Sequence, residues 1–297
     1  MPVTSDRLRA ALTLVLGLVV GGAAHATVTV RDDSGRDVRL ERPALRIISL
    51  APHITELLYE VGSGDRVVGA TAYSDYPTAA SKLPRVGGLA GIDIERVIAL
   101  KPDLVIAWQS GTSQAQLELI ERVGIPVFRS EPHTLDDVAT SMERFGVLSG
   151  RVDRGRQVAT AFRARVAELR DRYARRAPVR VFYQVWNDPL MTIGGTQLTT
   201  QVIDLCGGHN IFASLTTLAP IVDVEAVIAA DPQLIATTSE SADHRRDLAI
   251  WSRWTGVSAV REKRYLFLEP ALISRHTSRI LIGAQTMCDA IDAARSR

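Results

Sequence analysis

The sequence predicts an α/β protein of two similar lobes, each with a parallel central sheet, joined by one long α-helix and enclosing a ligand cleft between them. Three observations predict it. Short β-rich runs alternate with helical patterns through residues 46–148 and again from residue 179, the pattern of parallel sheets covered by helices. One unbroken helical stretch separates the two regions. A segment in the first region, residues 92–106, recurs in the second as residues 222–236.

The chain opens with Arg7 and Arg9, an apolar run and the small residues Ala24-His25-Ala26. The apolar run, about 13 residues, falls short of the roughly 20 that span a bilayer as a helix. The basic, apolar and small-residue order predicts a signal peptide over residues 1–26, cleaved after Ala26. Nothing later in the chain is long and apolar enough to span a membrane. Strands are expected at residues 46–50, 66–70, 103–108 and 125–128, with helices at 55–62, 94–100, 113–123 and 135–148 between and after them. After Asp103, residues 104–108 are continuously apolar, as in strands buried on both faces. This gives a first lobe over residues 27–150.

The connecting helix is expected over residues 151–177. Val158, Phe162, Val166, Leu169 and Tyr173 recur at helical spacing and form one apolar stripe. The rest carries nine arginines against Asp153, Glu168 and Asp171, which reads as a solvated helix face rather than a basic contact surface. Alternation then resumes in a second lobe over residues 178–297. Its strands are expected at 179–185, 233–237 and 265–268, its helices at 199–206, 224–230 and 279–294. Trp251 and Trp254, three apart, read as core packing. A helix rather than a flexible linker between lobes implies limited hinge motion, and ligands of such sheets bind beyond the carboxyl ends of the strands.

Composition narrows the function. The formal net charge of +2 gives no basic excess for nucleic acid. No nucleophile elbow, phosphate loop, zinc-binding His-Glu pattern or Cys/His cluster is present, so neither an enzyme nor a metal site is expected. The two cysteines, Cys206 and Cys288, read as one disulfide in an oxidising compartment, the alternative being two buried thiols. In the repeat, each copy reads as an Asp N-cap, a short helix, a Pro stop and a buried strand. Glu95 and Glu225 occupy the same place in each first helical turn. A carboxylate there stabilises its helix by about 0.3–1 kcal/mol. That local account explains each Glu singly but not their symmetry, which would also suit docking onto a two-fold basic partner.

Several segments resemble the periplasmic cobalamin-binding proteins of ABC importers, which belong to the class of solute-binding proteins built on a helical backbone. They are Ile47-Ile48-Ser49-Leu50-Ala51-Pro52, Thr55-Glu56-Leu57, Ala72-Tyr73-Ser74-Asp75-Tyr76-Pro77 and Ile94 through Trp108. In the second lobe they are Arg180-Val181-Phe182, Val202 through Phe212, and Arg279-Ile280 with Cys288. The wider family also carries ferric siderophores and haem. The Tyr-Ser-Asp-Tyr-Pro segment and the cysteine pair narrow the match to the cobalamin branch.

The resemblance implies a periplasmic protein, a bridge between Cys206 and Cys288, and Glu95 and Glu225 as carboxylates that dock onto arginines of a permease dimer. That dimer would work with its ATPase subunits, the binding protein being a monomer in solution. Cobalamin would be the transported ligand rather than a cofactor. Tyr73 and Trp108 match aromatic cleft positions of the family, and flat aromatic walls suit a corrin ring. Leu89 and Ala219 stand where well-known members carry Trp, and Trp186 is the candidate compensating wall. Arg275 and His276, with Arg279, are the candidate polar contacts. The competing ligand is haem or a ferric siderophore: His53, His276 and Tyr73 would offer axial ligands, and Arg275 and Arg279 would offer charge to an anionic siderophore.

Overall fold

The computed structural model describes residues 27–88, 90–173, 175–238 and 248–295. The expected leader, residues 1–26, lies outside them. An antiparallel hairpin comes first, β1 (Val28–Arg31) with β2 (Asp37–Leu40). Asp32-Asp33-Ser34-Gly35 turns it, with Gly35 at φ +82°, a conformation that favours glycine. The hairpin is held to the first lobe by an ion pair between Asp33 and Arg144.

The first sheet contains β3 (Ile47–Ser49), β4 (Val67–Ala70), β7 (Leu104–Trp108) and β8 (Val127–Ser130). All pairings are parallel, in the order β4-β3-β7-β8. Between β4 and β7 lies a two-residue-per-strand hairpin, β5 (Gly87–Gly88) and β6 (Gly91–Ile92). The second sheet contains β9 (Val179–Gln184), β12 (Gly208–Asn210), β13 (Leu234–Thr238) and β14 (Tyr265–Leu268). Its order is β12-β9-β13-β14, again all parallel. A second small hairpin, β10 (Trp186–Asn187) and β11 (Leu190–Met191), follows β9. Each sheet therefore runs second, first, third, fourth in chain order, so the repeated segment reflects a repeated lobe.

The apolar runs are strands because both faces are covered. In β7, Leu104 and Ile106 enter one buried cluster, Val105 and Ala107 the other. In β13, Leu234 and Ala236 face one cluster and Ile235 the other. The helices of the first lobe are α1 (Pro52–Glu60), α2 (Ile94–Ala99), α3 (Gln114–Arg122) and α4 (Leu135–Leu148). A Thr134/Asp137 capping box starts α4, satisfying two otherwise orphaned groups. Helix α1 begins at Pro52, three residues before the expected start, because proline at the first helical position loses no bond and brings a helical φ. The fourth strand lies two residues beyond expectation. It takes in Arg129 and Ser130, both buried, and Arg129 is compensated by Glu121 at 2.7 Å.

Helix α5 (Val152–Tyr173) connects the two sheets. Its stripe, Val158, Phe162, Val166, Leu169 and Tyr173, is buried in a cluster that draws on both sheets. Gly146 of α4 and Gly155 of α5 allow close approach: a Cβ on Gly155 would stand 2.8 Å from the Met142 carbonyl oxygen. Arg151, Arg163, Arg165, Arg172 and Arg176 form ion pairs with neighbouring acids. The arginine-rich surface is thus largely a solvated, self-paired face, each exposed pair being worth about 0–1 kcal/mol.

The second lobe adds α6 (Leu198–Leu205), α7 (Val224–Ala230), α8 (Ser258–Arg261), α9 (Pro270–Ile273) and α10 (Ile280–Arg295). Cys206, the residue after α6, is bonded to Cys288 of α10, and both are fully buried. Trp251 is fully buried with its ring 5.4 Å from Phe182. No helix among the described residues is long and apolar enough to cross a membrane.

Candidate functional site, an interlobe cleft with two equivalent helices

The residues beyond the carboxyl ends of the two sheets meet across the lobes. In the first lobe, Tyr73 follows β4 by three residues and adopts φ 63°. Its ring is exposed. Trp108 is the last residue of β7, and its indole N–H donates to Glu131 Oε1 at 3.1 Å. Glu131 also accepts from the Ser110 backbone N–H at 2.7 Å, so the indole is oriented by a carboxylate that is itself fixed. His53, in the first turn of α1, stands 5.6 Å ring to ring from Trp108, edge to face.

The second lobe supplies the segment between α9 and α10. His276 lies 5.6 Å ring to ring from His53 and 6.5 Å from Trp108. The Arg275 guanidinium crosses to the first lobe, donating to Glu56 Oε1 at 2.7 Å, to Asp75 Oδ1 at 2.8 Å and to the Tyr73 carbonyl at 3.2 Å. Arg279 sits 3.5 Å from Glu56 and lies over the Tyr76 ring at 4.0 Å, a favourable cation–π geometry. A cavity of about 330 Å³ between the lobes is lined by Glu56, Tyr59, Glu60, Tyr76, Ser278 and Arg279. Elsewhere on the interlobe boundary, Gln201 donates to the His133 carbonyl and accepts from the Leu135 N–H.

The electrostatics follow from burial. His53 is 6 % exposed with Nε2 unpartnered. Desolvation, then the nearby charges of His276 and Arg275, lower its pKa to about 3. Burial likewise lowers His276. Both rings are therefore neutral at neutral pH. The Arg275 hydrogen bond holds the Asp75 carboxyl below its usual range, while burial raises Glu60.

Trp186 opens the β10–β11 hairpin. It is 60 % exposed, with its indole N–H turned back onto the Asp188 carbonyl at 3.0 Å. Ala219 lies in residues 218–221, which run beside β11: Gly194 and Thr192 donate to the Leu218 and Pro220 carbonyls, and Met191 bridges Ile221. Met191 also pairs with Trp186. Trp186 and Ala219 thus share one small sheet, on which Leu218 and Ile221 are exposed as well. Leu89 lies outside the described residues.

The structure brings Tyr73, Trp108, Arg275 and His276 together with His53; Trp186 and Ala219 lie on and beside the β10–β11 hairpin, beyond the carboxyl end of β9. Sequence reasoning did not single out Glu56, Asp75, Tyr76 and Glu131 as site residues. The first three stand within segments that carried the family resemblance. Glu56 gave no separate signal: at helical spacing it stands on the opposite side of α1 from Ile54 and Leu58, and its burial, which demands a cationic partner, shows only in the folded chain. Among the described residues, no group of three or more His, Cys, Asp or Glu could hold a metal ion.

The second feature is the pair α2 and α7, each leading directly into the third strand of its sheet. Glu95 and Glu225 lie in their first turns and are exposed. Asp93 caps α2 by accepting from the Arg96 N–H at 2.9 Å. Asp223 takes the N-cap position of α7 but makes no side-chain capping bond, so the expected symmetry of the caps is incomplete. Each helix ends in a left-handed residue, Lys101 at φ 47° and Asp231 at φ 43°, followed by Pro102 and Pro232.

Two parallel lobes on a helical backbone, meeting at the carboxyl ends of their strands, define a solute-binding protein. The family model described as "periplasmic binding protein" matches residues 47–272, and the chain belongs to that family. It is 39 % identical over 245 residues to the vitamin B12-binding protein of Yersinia pestis (strain Pestoides F), covering 82 % of this chain and 85 % of that protein. The crystal structure of the periplasmic vitamin B12 binding protein BtuF of Vibrio cholerae superposes with a TM-score of 0.78 at 36 % identity, covering 86 % of this chain and 99 % of that one. The periplasmic heme-binding protein RhuT from Roseiflexus sp. RS-1, in apo form, superposes with a TM-score of 0.74 at 24 % identity, covering 84 % and 98 %; at that identity the likeness concerns the fold alone. The chain's relatives are solute-binding proteins rather than enzymes.

Proposed function

We propose that this chain captures cobalamin or a related corrinoid in the periplasm and delivers it to an ABC importer of the inner membrane. The observation that carries the reading is the 39 % identity to a vitamin B12-binding protein across most of both chains. The heme-binding relative is less than 25 % identical and supports a shared fold, not a shared ligand. His53 is also poorly presented as an axial ligand, being packed between Trp108 and His276.

In this reading residues 1–26 are removed on export, and residues 27–150 and 178–297 form the lobes on either side of the 151–177 helical segment. Tyr73, Trp108 and Trp186 supply aromatic walls for the macrocycle, with Leu89 and Ala219 as less bulky positions. His276 is a neutral polar contact. Arg275 can meet the amide rim only with the hydrogen-bonding capacity that its bridge to Glu56 and Asp75 leaves. Glu95 and Glu225 meet cationic residues on the two halves of a permease dimer that works with its ATPase subunits, the binding protein arriving as a monomer. Helices α2 and α7 are joined to the amino ends of β7 and β13 by short links, so their first turns point toward the cleft side of the sheets. Docking there would bring the cleft to the membrane.

Cyanocobalamin affinity of the purified protein and uptake by cells test the two halves of the reading. Glu95→Lys with Glu225→Lys should abolish uptake and leave the dissociation constant unchanged. A matching loss of affinity would overturn the docking role.

A further inference from the structure

The two carboxylate-bearing helices have only six and seven residues, too short to hold their direction by their own hydrogen bonds. Each buries one side chain fully, Val97 in α2 and Val227 in α7, with Ile94, Val224 and Ile228 only partly buried beside them. A second anchor at the far end would fix their axes. The structure shows the same device in both lobes. Arg46 is the residue before β3, the leading strand of the first sheet. It donates from Nη2 to the Leu100 carbonyl at 2.6 Å, and from Nε to the Leu100 and Lys101 carbonyls at 3.2 and 3.1 Å. Arg180, near the start of the second sheet's leading strand, donates from Nε to the Ala230 and Asp231 carbonyls at 3.1 and 2.8 Å. Its Nη2 meets Asp231 Oδ2 at 2.9 Å.

The backbone of each arginine is gripped in return. The Arg46 N–H donates to Asp103 Oδ1, and the Arg180 N–H to Gln233 Oε1. Asp103 and Gln233 each directly follow the proline that stops the helix. So in each lobe a guanidinium holds the carbonyl end of the helix, where the dipole favours a cation, and the chain after the helix holds the arginine's backbone. The arginines lie at the opposite helix ends from Glu95 and Glu225, about 9 Å away along six residues of helix, and neither is placed in the cleft.

We propose that Arg46 and Arg180 are positioning residues for docking: by tying the carbonyl ends of α2 and α7 to the two sheets, they set the separation and direction of Glu95 and Glu225 to match a rigid two-fold partner. The proposal rests on the docking role of the two glutamates. It explains why the same clamp is built twice on surfaces that the ligand does not touch. A partner that reads two charges at a fixed spacing loses affinity when either helix swings, because electrostatic matching depends on register.

The test uses the full chain, expressed in the source bacterium in place of the native copy, with radiolabelled cyanocobalamin as the probe. Four forms are compared: wild type, Arg46→Ala/Arg180→Ala, Arg46→Lys/Arg180→Lys and Glu95→Ala/Glu225→Ala. Removing the clamps forfeits several hydrogen bonds, so uptake at saturating cobalamin should fall about tenfold in the arginine-to-alanine form. Its purified dissociation constant for cyanocobalamin should stay within about twofold of wild type, because the cleft is untouched. The lysine form, which can still donate to the helix carbonyls, should recover part of the uptake. Amide hydrogen exchange over residues 94–100 and 224–231 should quicken in the alanine form and slow again in the lysine form. Normal uptake in the arginine-to-alanine form, beside lost uptake in the glutamate form, overturns the positioning role and leaves docking standing. Normal uptake in the glutamate form overturns docking and the positioning role together. Should the double alanine form fold poorly, each single variant gives the same comparison, and a loss of uptake matched by a loss of ligand affinity also overturns the proposal.

Discussion

Acidification should destabilise this protein through His53, and replacing that one residue should remove most of the effect. His53 is enclosed by Trp108 of β7 and by His276 and Arg275 of the α9–α10 segment. With Glu56 engaged by Arg275, no carboxylate is left to favour an imidazolium. The pKa falls from 6.5 to about 3. Between those values the unfolded chain binds a proton at this site and the folded chain does not, so stability falls as pH falls. Above pH 6.5 the contribution is constant. At pH 5, about 1.5 units into the window, the loss is about 2 kcal/mol at about 1.4 kcal/mol per unit. His276, also lowered by burial, adds in the same direction.

The assay is denaturant unfolding at pH 7.5 and pH 5.0, for wild type and for His53→Phe, which keeps an aromatic edge for Trp108 but cannot titrate. The difference between the two pH values should be about 2 kcal/mol smaller in the variant. Equal pH dependence in the two proteins would refute the argument, because the proton taken up on unfolding would then belong elsewhere.

Other outcomes follow from the same contacts. Arg275→Ala should cost about 3 kcal/mol, since it leaves the Glu56 side chain, 3 % exposed, with only the more distant Arg279; thermal melting reads the loss, and small-angle scattering should show wider separation of the lobes. Cys288→Ser should cost about 2–5 kcal/mol, because the bond closes a separation of 82 residues; wild type treated with a reductant should match it. Trp251→Ala should cost about 3–5 kcal/mol by emptying the site of the bulkiest fully buried side chain, as measured by chemical denaturation.

Much of this architecture was legible because it is written locally. The Asp start, Pro stop and doubly buried strand of each repeat act within a dozen residues, and α4, α7 and β14 fall where the pattern put them. The long helix was legible for the same reason, as its stripe needs only helical spacing. What was not legible depends on partners remote in sequence. Strand β12 is Gly208-His209-Asn210, with no β-forming character, and exists because β9 offers it a parallel edge. Arg275 and Glu56 stand 219 residues apart; only the folded chain shows that this arginine bridges the lobes as well as bordering the cleft. The Arg46 and Arg180 clamps were hidden similarly, each arginine reading as ordinary charge at a strand start. The first hairpin is different: its Asp-Asp-Ser-Gly turn is a local signal that needs no remote partner.

Whether the cleft takes a corrinoid decides more than any single contact. Purified protein lacking residues 1–26, titrated calorimetrically and by visible spectroscopy with cyanocobalamin and separately with haemin, is the direct measurement. One cyanocobalamin should bind per chain with a dissociation constant below about 1 μM, equivalent to about −8 kcal/mol or better. No axial ligation by a histidine of the protein should appear. Absence of cyanocobalamin binding, together with a shifted haemin Soret band, would contradict the corrinoid reading.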